Sequence, residues 1–346
     1  MTAINLSNHF VDICEVYYKD SGKHKRRLES ALPDDFTVRT ATGKVMTIRK
    51  LLNSADLFDS GLLQAAIQDT LMQSATYKRV MRNAIMPETM NHTIERIPVP
   101  IPAGVARSVG EGAEVPLFGS DFTYVDLVAT KIGERTGITQ EMVEENQFGA
   151  IAHHIKMAGE SLENRLNMDA LTTLVHGSHT YGHVVDTNGV NQGRLAISKA
   201  ITLLNKSGYE PNTMVVSPIY EEILRDEMIS TFNTSSAQST DMLSRGTAMS
   251  PFMGVTPYMT NIGVNDDKKR SQITTSVEWG ENIDGQVLAV VYDYNCAQRI
   301  GMRRDITSTT YNDPLRDLAS NNEVFTARFA HEFVRANAKS AVAIVA

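Results

Sequence analysis

Three histidines, His176, His179 and His183, fall within the stretch "HGSHTYGH". Imidazoles gathered so closely are candidate ligands for zinc or iron, which sets up one functional class to weigh, a cytoplasmic His-ligated metalloenzyme. No cysteine lies nearby, and a glycine-containing turn separates the three, so a structural or surface role competes with the metal one. His331 and Glu332 open "HEFVR" like a zinc-protease helix, but position 335 is Arg where the second ligand would stand. His153 and His154 occupy adjacent positions of a helical pattern and point apart. "GEGAEV" lacks the third glycine of a dinucleotide loop and opens no helix. Neither a phosphate loop nor a G-x-S-x-G elbow occurs. No catalytic residue, metal site or cofactor is expected, and the chain is predicted not to be an enzyme. Cys14 and Cys296 are far apart and match no redox spacing, which argues for a reducing compartment without a disulfide framework.

The 346 residues carry 40 acids and 33 bases, net charge −7, with 42% hydrophobic and 21% charged residues. That is the usage of a folded globular protein large enough to bury a core. A chain of this charge does not bind polyanions as a whole, so any nucleic-acid contact must be local. The candidate is the run from Lys19 to Arg27, where Lys19, Lys23, Lys25, Arg26 and Arg27 face one Asp. It reads either as a solvated helix end or as a non-specific nucleic-acid contact. No apolar run approaches the roughly 20 residues of a membrane helix, and the first residues lack a secretory pattern. A cytoplasmic protein with no membrane partner is expected.

The elements that would position such residues follow from periodicity. Phe10, Ile13, Cys14 and Tyr17 step at helical spacing. Phe36 and Val38, then Val45 and Ile48, flank "ATG" as in a small hairpin. "GLLQAAIQDTLMQSA" reads as an amphipathic helix. From Thr139, a candidate N-cap followed by Glu141, Glu144 and Glu145, to Gly177, the row Ile151, Ile155, Ala158, Leu162, Leu166, Leu171 and Leu174 predicts one helix of about 37 residues and about 55 Å. Gly149 and Gly159 are its candidate bend points. Beyond it come a helix in "RLAISKAITLLNKSG", a strand in "TMVVS", a helix opened by Pro218, and a polar loop from Ser230 to Gly254. Strands follow in "QVLAVVYDY", "QRIGMRRDITSTTY", "EVFTARFAHEFVRA" and "SAVAIVA". The fold class is α+β.

One segment fits none of these elements. "RSVGEGAEVPLFGSDFTY", Arg107 to Tyr124, is the middle of a run from Thr93 to Lys131 whose apolar residues are too scattered to make a core. Ile97, Val99 and Ile101 alternate with Arg96, Pro98 and Pro100, and Phe122 and Tyr124 alternate with Thr123 and Val125. This is a two-stranded excursion with a turn-rich tip, marginal in water by itself. It must lie on another surface.

In order and spacing these stretches resemble the major capsid protein fold of tailed bacteriophages and head-tailed archaeal viruses, the Hong Kong ninety-seven-type fold. "GEGAEVPLFGSDFTYVDLVATKIGERTGITQEMVEEN" is similar to the family's extended loop, returning strand and entry to the spine helix, and "ENRLNMDALTTLVHG" to that helix's end. "YEPNTMVVSPIYEEILRDE" and "SPFMGVTPYMTNI" resemble the axial domain. The residues from Asn295 to Val345 resemble the closing strands of the peripheral domain. The resemblance implies an N-terminal arm or small lobe (1–92), an extended β-hairpin loop (93–132), a peripheral domain with the spine helix (133–180), an axial domain (181–295) and closing peripheral strands (296–346). It implies a structural protein that assembles through pentamers and hexamers into an icosahedral shell around double-stranded DNA, non-specifically packaged. It would reside in the virion after assembly in the host cytoplasm. Portal and scaffold proteins, and a decoration protein, would be the other partners. The extended loop would lie across a neighbouring copy through Val109, Val115, Leu117, Phe118 and Phe122, with Arg107, Glu111 and Glu114 setting polar register at the rim. No lysine occurs from Thr93 to Thr130, with Lys131 at the loop's base, so no covalent cross-link between subunits is expected. An uncleaved arm with a separate scaffold is favoured. A cellular nanocompartment shell, an encapsulin, shares the fold and is the nearer alternative; the His-ligated metalloenzyme is the more distant one.

Overall fold

The computed structural model describes residues 6–19, 22–31, 37–39, 45–47, 62–100, 122–136, 142, 145, 147–187, 193–231, 254–259, 287–311 and 322–345. In chain order, helices α1 (Phe10–Lys19) and α2 (Gly22–Ala31) precede a hairpin of β1 (Thr37–Arg39) and β2 (Val45–Thr47). Next come α3 (Leu62–Tyr77), a single turn α4 (Met81–Ala84), and strands β3 (Met86–Thr89), β4 (Ile94–Pro100), β5 (Phe122–Val128) and β6 (Thr130–Thr136). The long helix α5 (Phe148–Tyr181) leads to β7 (His183–Asp186), α6 (Gly193–Lys206), β8 (Thr213–Val216), α7 (Pro218–Thr231) and β9 (Thr256–Met259). Strands β10 (Val287–Tyr292), β11 (Gln298–Tyr311), β12 (Asn322–Phe333) and β13 (Ala341–Val345) complete the chain's described elements. The sheets have the orders β1-β2, β7-β13-β10-β8-β9, β3-β11-β12-β6 and β4-β5.

The residues divide into two compact units, Met1–Arg79 with Lys131–Asn164 and Arg304–Arg328, and Val80–Thr130 with Arg165–Arg303 and Phe329–Ala346. In the first unit, the helical row Phe148, Ile151, Ile155, Ala158 and Leu162 of α5 shares one core with Phe10, Ile13 and Cys14 of α1, Leu28 of α2 and Leu63, Ala66, Ile67 and Leu71 of α3. Ile306 of β11 and Phe325 and Ala327 of β12 belong to the same cluster. Side chains spaced by three and four residues stack on one helix face, so each helix contributes a stripe. At Gly159 a Cβ would lie 2.6 Å from the Leu71 carbonyl oxygen, and only glycine lets α5 and α3 approach so closely. Gln68 turns from α3 to β11, donating from Nε2 to the Ile306 carbonyl (2.7 Å) and accepting the Ser308 amide at Oε1 (2.8 Å). One side-chain amide thereby does for β11 what a strand's peptide would. Arg79 lies 3.9 Å from the buried Glu163 and 3.5 Å from Asp305.

In the second unit, β8, β10 and β13 are buried along their whole length, as expected of strands covered on both faces. Antiparallel β10 joins β13 and β8, while β7 and β9 add in parallel at the two edges. Ala196, Ile197, Ala200 and Leu204 of α6 and Tyr220 and Leu224 of α7 pack on this sheet. Ser217 Oγ accepts the Tyr220 amide (3.2 Å), capping the start that Pro218 pre-sets.

Two differences from the sequence reading concern helices. The first helical segment is two helices, so most of the basic run lies on α2. The spine helix has 34 residues, beginning at Phe148, and passes through Gly177 to stop at Gly182. Thr139, Glu141 and Glu144 lie outside the described residues. Gly159 marks a close approach of α5 to α3. "SAVAIVA" forms the expected strand, β13, and stands between β7 and β10, which its wholly apolar sequence suits.

Candidate assembly interface

Within the run expected to form the extended loop, the structure describes a ribbon of β4 and β5. Seven residue pairs are in register, from Ile94 opposite Val128 to Pro100 opposite Phe122. Pro98 and Pro100 remove two ladder donors, which fits a strand with one partner. Because side chains alternate across a strand, the ribbon has two distinct faces.

The inner face is satisfied within the chain. Val99, Val125 and Leu127 are buried with Met90, Ala330 and Val334, and Ile97 packs beside them. Gly301 leaves room for this packing, since a Cβ there would come 2.4 Å from Met90 Sδ and 2.8 Å from Leu127 Cδ1. The Ala129 amide donates to Thr93 O (2.7 Å), the Met90 amide to Met302 O (3.0 Å), and Arg303 hydrogen-bonds Thr93 Oγ1. The base is therefore anchored in its own unit.

The outer face is not covered. Ile94 is 64% exposed, Tyr124 62% and Val128 53%. Ile94 and Val128 are a cross-strand pair, Tyr124 stands opposite Pro98, and between these pairs Arg96 forks onto Asp126 at 2.7 and 3.0 Å. The shared hydrogen bond, helped by the opposite charges, holds the Asp126 carboxyl below its ordinary value and Arg96 above its own. Large apolar side chains grouped around one fixed ion pair make a surface with defined register. Scattered exposed apolar residues need no explanation, but three large ones on one face of a short ribbon, flanking a single ion pair, mark a candidate contact site.

Of the residues expected to touch a neighbour, Arg107, Val109, Glu111, Glu114, Val115, Leu117 and Phe118 lie outside the described residues. Phe122 opens β5, in register with Pro100 and two residues from Tyr124. The sequence reading passed over Ile94, Tyr124 and Val128 as contacts. Their signal is that "TIERIPVP" and "FTYVDLV" place apolar residues at both strand parities, more than a ribbon with one covered face requires.

The basic run is divided. Lys19 ends α1, whereas Lys23, Arg26 and Arg27 are exposed on α2 and Lys25 is half-buried there. The histidines do not converge. His176 is exposed near the end of α5, and His183 on β7 has its Nε2 3.2 Å from Ser207 Oγ. Among the described residues no group of three or more His, Cys, Asp or Glu side chains could hold a metal ion, so the metalloenzyme alternative loses its ligand set. His331 lies on β12 with its ring 5.9 Å from that of Phe329. Burial lowers its pKa, with Asp169 opposing and Arg165 reinforcing the shift. Both thiols are buried: burial raises Cys14 well above its ordinary value and pushes Cys296 up to about 11. No described helix is long and apolar enough to cross a membrane.

A family model described as phage capsid protein matches residues 123–305, just over half of the chain. The chain belongs to the phage capsid protein family. It is a structural component of the virion that forms the viral shell, and not an enzyme. Solved structures agree on an α+β, Hong Kong ninety-seven-like fold. The capsid of cyanophage P-SCSP1u matches with a TM-score of 0.53 at 9% identity, covering 76% of this chain and 86% of the other. Mycobacterium phage Ogopogo gives a TM-score of 0.50 at 19% identity, with 77% and 91% covered. A virus-like particle from Pyrococcus furiosus gives 0.50 at 10% identity, with 81% and 98% covered. At such identities the likeness is one of fold. No curated protein matches the chain.

Proposed function

We infer that this capsid protein closes its shell by laying the β4–β5 ribbon, and the loop it carries, across the next copy of itself. The observation that supports this is the ribbon's asymmetry: its inner face is filled by its own chain, while Ile94, Tyr124 and Val128 stay exposed around a fixed ion pair. Fully burying a large apolar side chain contributes about 1.5–3 kcal/mol, so these three supply part of what must offset the cost of association, the rest coming from the other contacts of the same interface. Two different patches meeting head to tail close into rings, and rings of five and six copies tile an icosahedral shell. The loop residues from Arg107 to Phe118 extend the same contact, and the shell encloses double-stranded DNA. The arm, loop, peripheral and axial divisions and the portal, scaffold and decoration partners belong to this reading.

Charge introduced on the outer face tests it. Tyr124→Glu with Val128→Glu should leave circular dichroism and thermal unfolding of the isolated chain near those of the unaltered protein. Shells should disappear from negative-stain images and from sedimentation profiles. Shells that form at normal yield would overturn the ribbon's role. Shells containing a protein cargo and no nucleic acid would move the assignment to a nanocompartment.

A further inference from the structure

Helix α2 is polarised in charge. Leu28 is fully buried and belongs to the core shared by α1, α3 and α5. Lys23, Arg26 and Ser30 are exposed. At 3.6 residues per turn, Lys23 and Ser30 lie about 140° and 160° round the helix from Leu28 on one side, and Arg26 about 160° on the other. Arg27 is on the flank, its side chain 71% exposed while one guanidinium nitrogen rests 3.3 Å from Asp12 of α1. Lys25, turned toward the Leu28 side, is half-buried. The spacing 23, 26, 27, 30 is thus one outward stripe, with three cations and no large apolar side chain. The Lys19–Arg27 run sums to +4, five bases less one acid, in a chain of net −7, so the other residues carry −11.

We propose that this outward face of α2, carrying Lys23, Arg26 and Arg27, is a sequence-independent contact for the phosphate backbone of duplex DNA. The choice of duplex DNA rests on the reading of the chain as the wall of a DNA-filled shell; the stripe itself does not. An apolar centre would be expected of a protein-docking helix, since interface cores are depleted of charge. A row of guanidinium and ammonium groups with a serine hydroxyl fits phosphates, which charged and hydroxyl side chains bind without reading bases. Arg27 is pre-positioned by Asp12, so its remaining donors reach the backbone without ordering the whole side chain. Because most of the chain is acidic, the stripe also fixes which surface faces the nucleic acid.

The test is a salt titration of the full-length chain with a random-sequence duplex, read by fluorescence anisotropy. Lys23→Glu with Arg26→Glu removes two phosphate contacts, so the slope of log K against log salt should shrink by about 2, and affinity near 0.1 M salt should fall roughly tenfold or more. Lys199→Glu with Lys206→Glu changes net charge equally at two exposed positions on α6 and should leave the slope unchanged. Lys23→Gln with Arg26→Gln, a gentler pair, covers the case in which reversal disturbs the lobe, and should give the same loss of slope. Equal weakening by the α2 and α6 variants, or none by either, would overturn the proposal. So would α2-dependent binding of a polyglutamate peptide without duplex binding, which would assign the stripe to an acidic protein. Negative-stain images of the same preparations report shell formation separately. If the unaltered chain makes no shells, the shell reading fails while the titration still decides the stripe.

Discussion

Gly177 lies within α5 where the ring of Phe333 approaches its backbone, so an added Cβ would sit 2.3 Å from Phe333 Cγ. An alanine there is favourable for helix propensity and unfavourable for packing, and packing wins because the ring is buried. Gly177→Ala should cost about 1–3 kcal/mol in urea unfolding, and Phe333→Leu should recover part of that loss. Two residues from Phe333, His331 makes stability depend on pH. Its folded pKa is lowered chiefly by burial, so below the ordinary value near 6.5 the unfolded chain binds a proton that the folded chain refuses. Its contribution is constant above that value and falls as pH drops toward the folded pKa. His331→Gln should flatten the corresponding limb of a stability curve measured between about pH 5 and pH 7, the range spanning the ordinary value. Neighbouring Glu332, raised by burial against Arg335, contributes the opposite sign, losing stability as pH rises through its own raised value.

Among the elements, β11 shows how one strand is finished on one edge by unlike means. Its Arg299–Met302 stretch pairs in parallel with β3, and further along the Gln68 amide bonds Ile306 and Ser308. Two hydrogen bonds of about 0.5–1.5 kcal/mol each depend on that side chain, so Gln68→Ala should lower stability by about 1–3 kcal/mol in urea unfolding. Gln68→Glu should be worse, because a carboxylate oxygen would face the Ile306 carbonyl. This clamp was not legible in the sequence: 238 positions separate Gln68 from Ile306, and one glutamine among polar helix residues carries no mark of its partner. What was legible followed from period. The rows of α3 and α5 and the apolar runs of β8, β10 and β13 appear as expected, since local spacing alone decides them. Strands β3, β6 and β9, at "MPET", "TKIGERT" and "TPYM", escaped notice because they are short or polar and are held by pairing with distant segments. The ribbon's two strands were readable from alternation, but which face stays open required Met90, Ala330 and Val334 to be placed beneath it.

At the scale of the whole molecule, the proposed ribbon contact implies a shell held by many modest contacts, in which a copy is released only when several break together. The absence of lysine from Thr93 to Thr130 predicts that no lysine of this segment cross-links one subunit to the next. Particles boiled in detergent should run as single subunits in denaturing electrophoresis, and a ladder of multiples would contradict this. Within a subunit, β13 is the one strand joining β7 to β10. A polypeptide ending between Tyr292 and Ala341 would lack the strand that joins β7 to β10, leaving β7 detached and the hydrogen-bonding edge of β10 unpaired. Limited proteolysis should therefore cut such a fragment within the unpaired β7 and β10 faster than it cuts the same strands in the full chain.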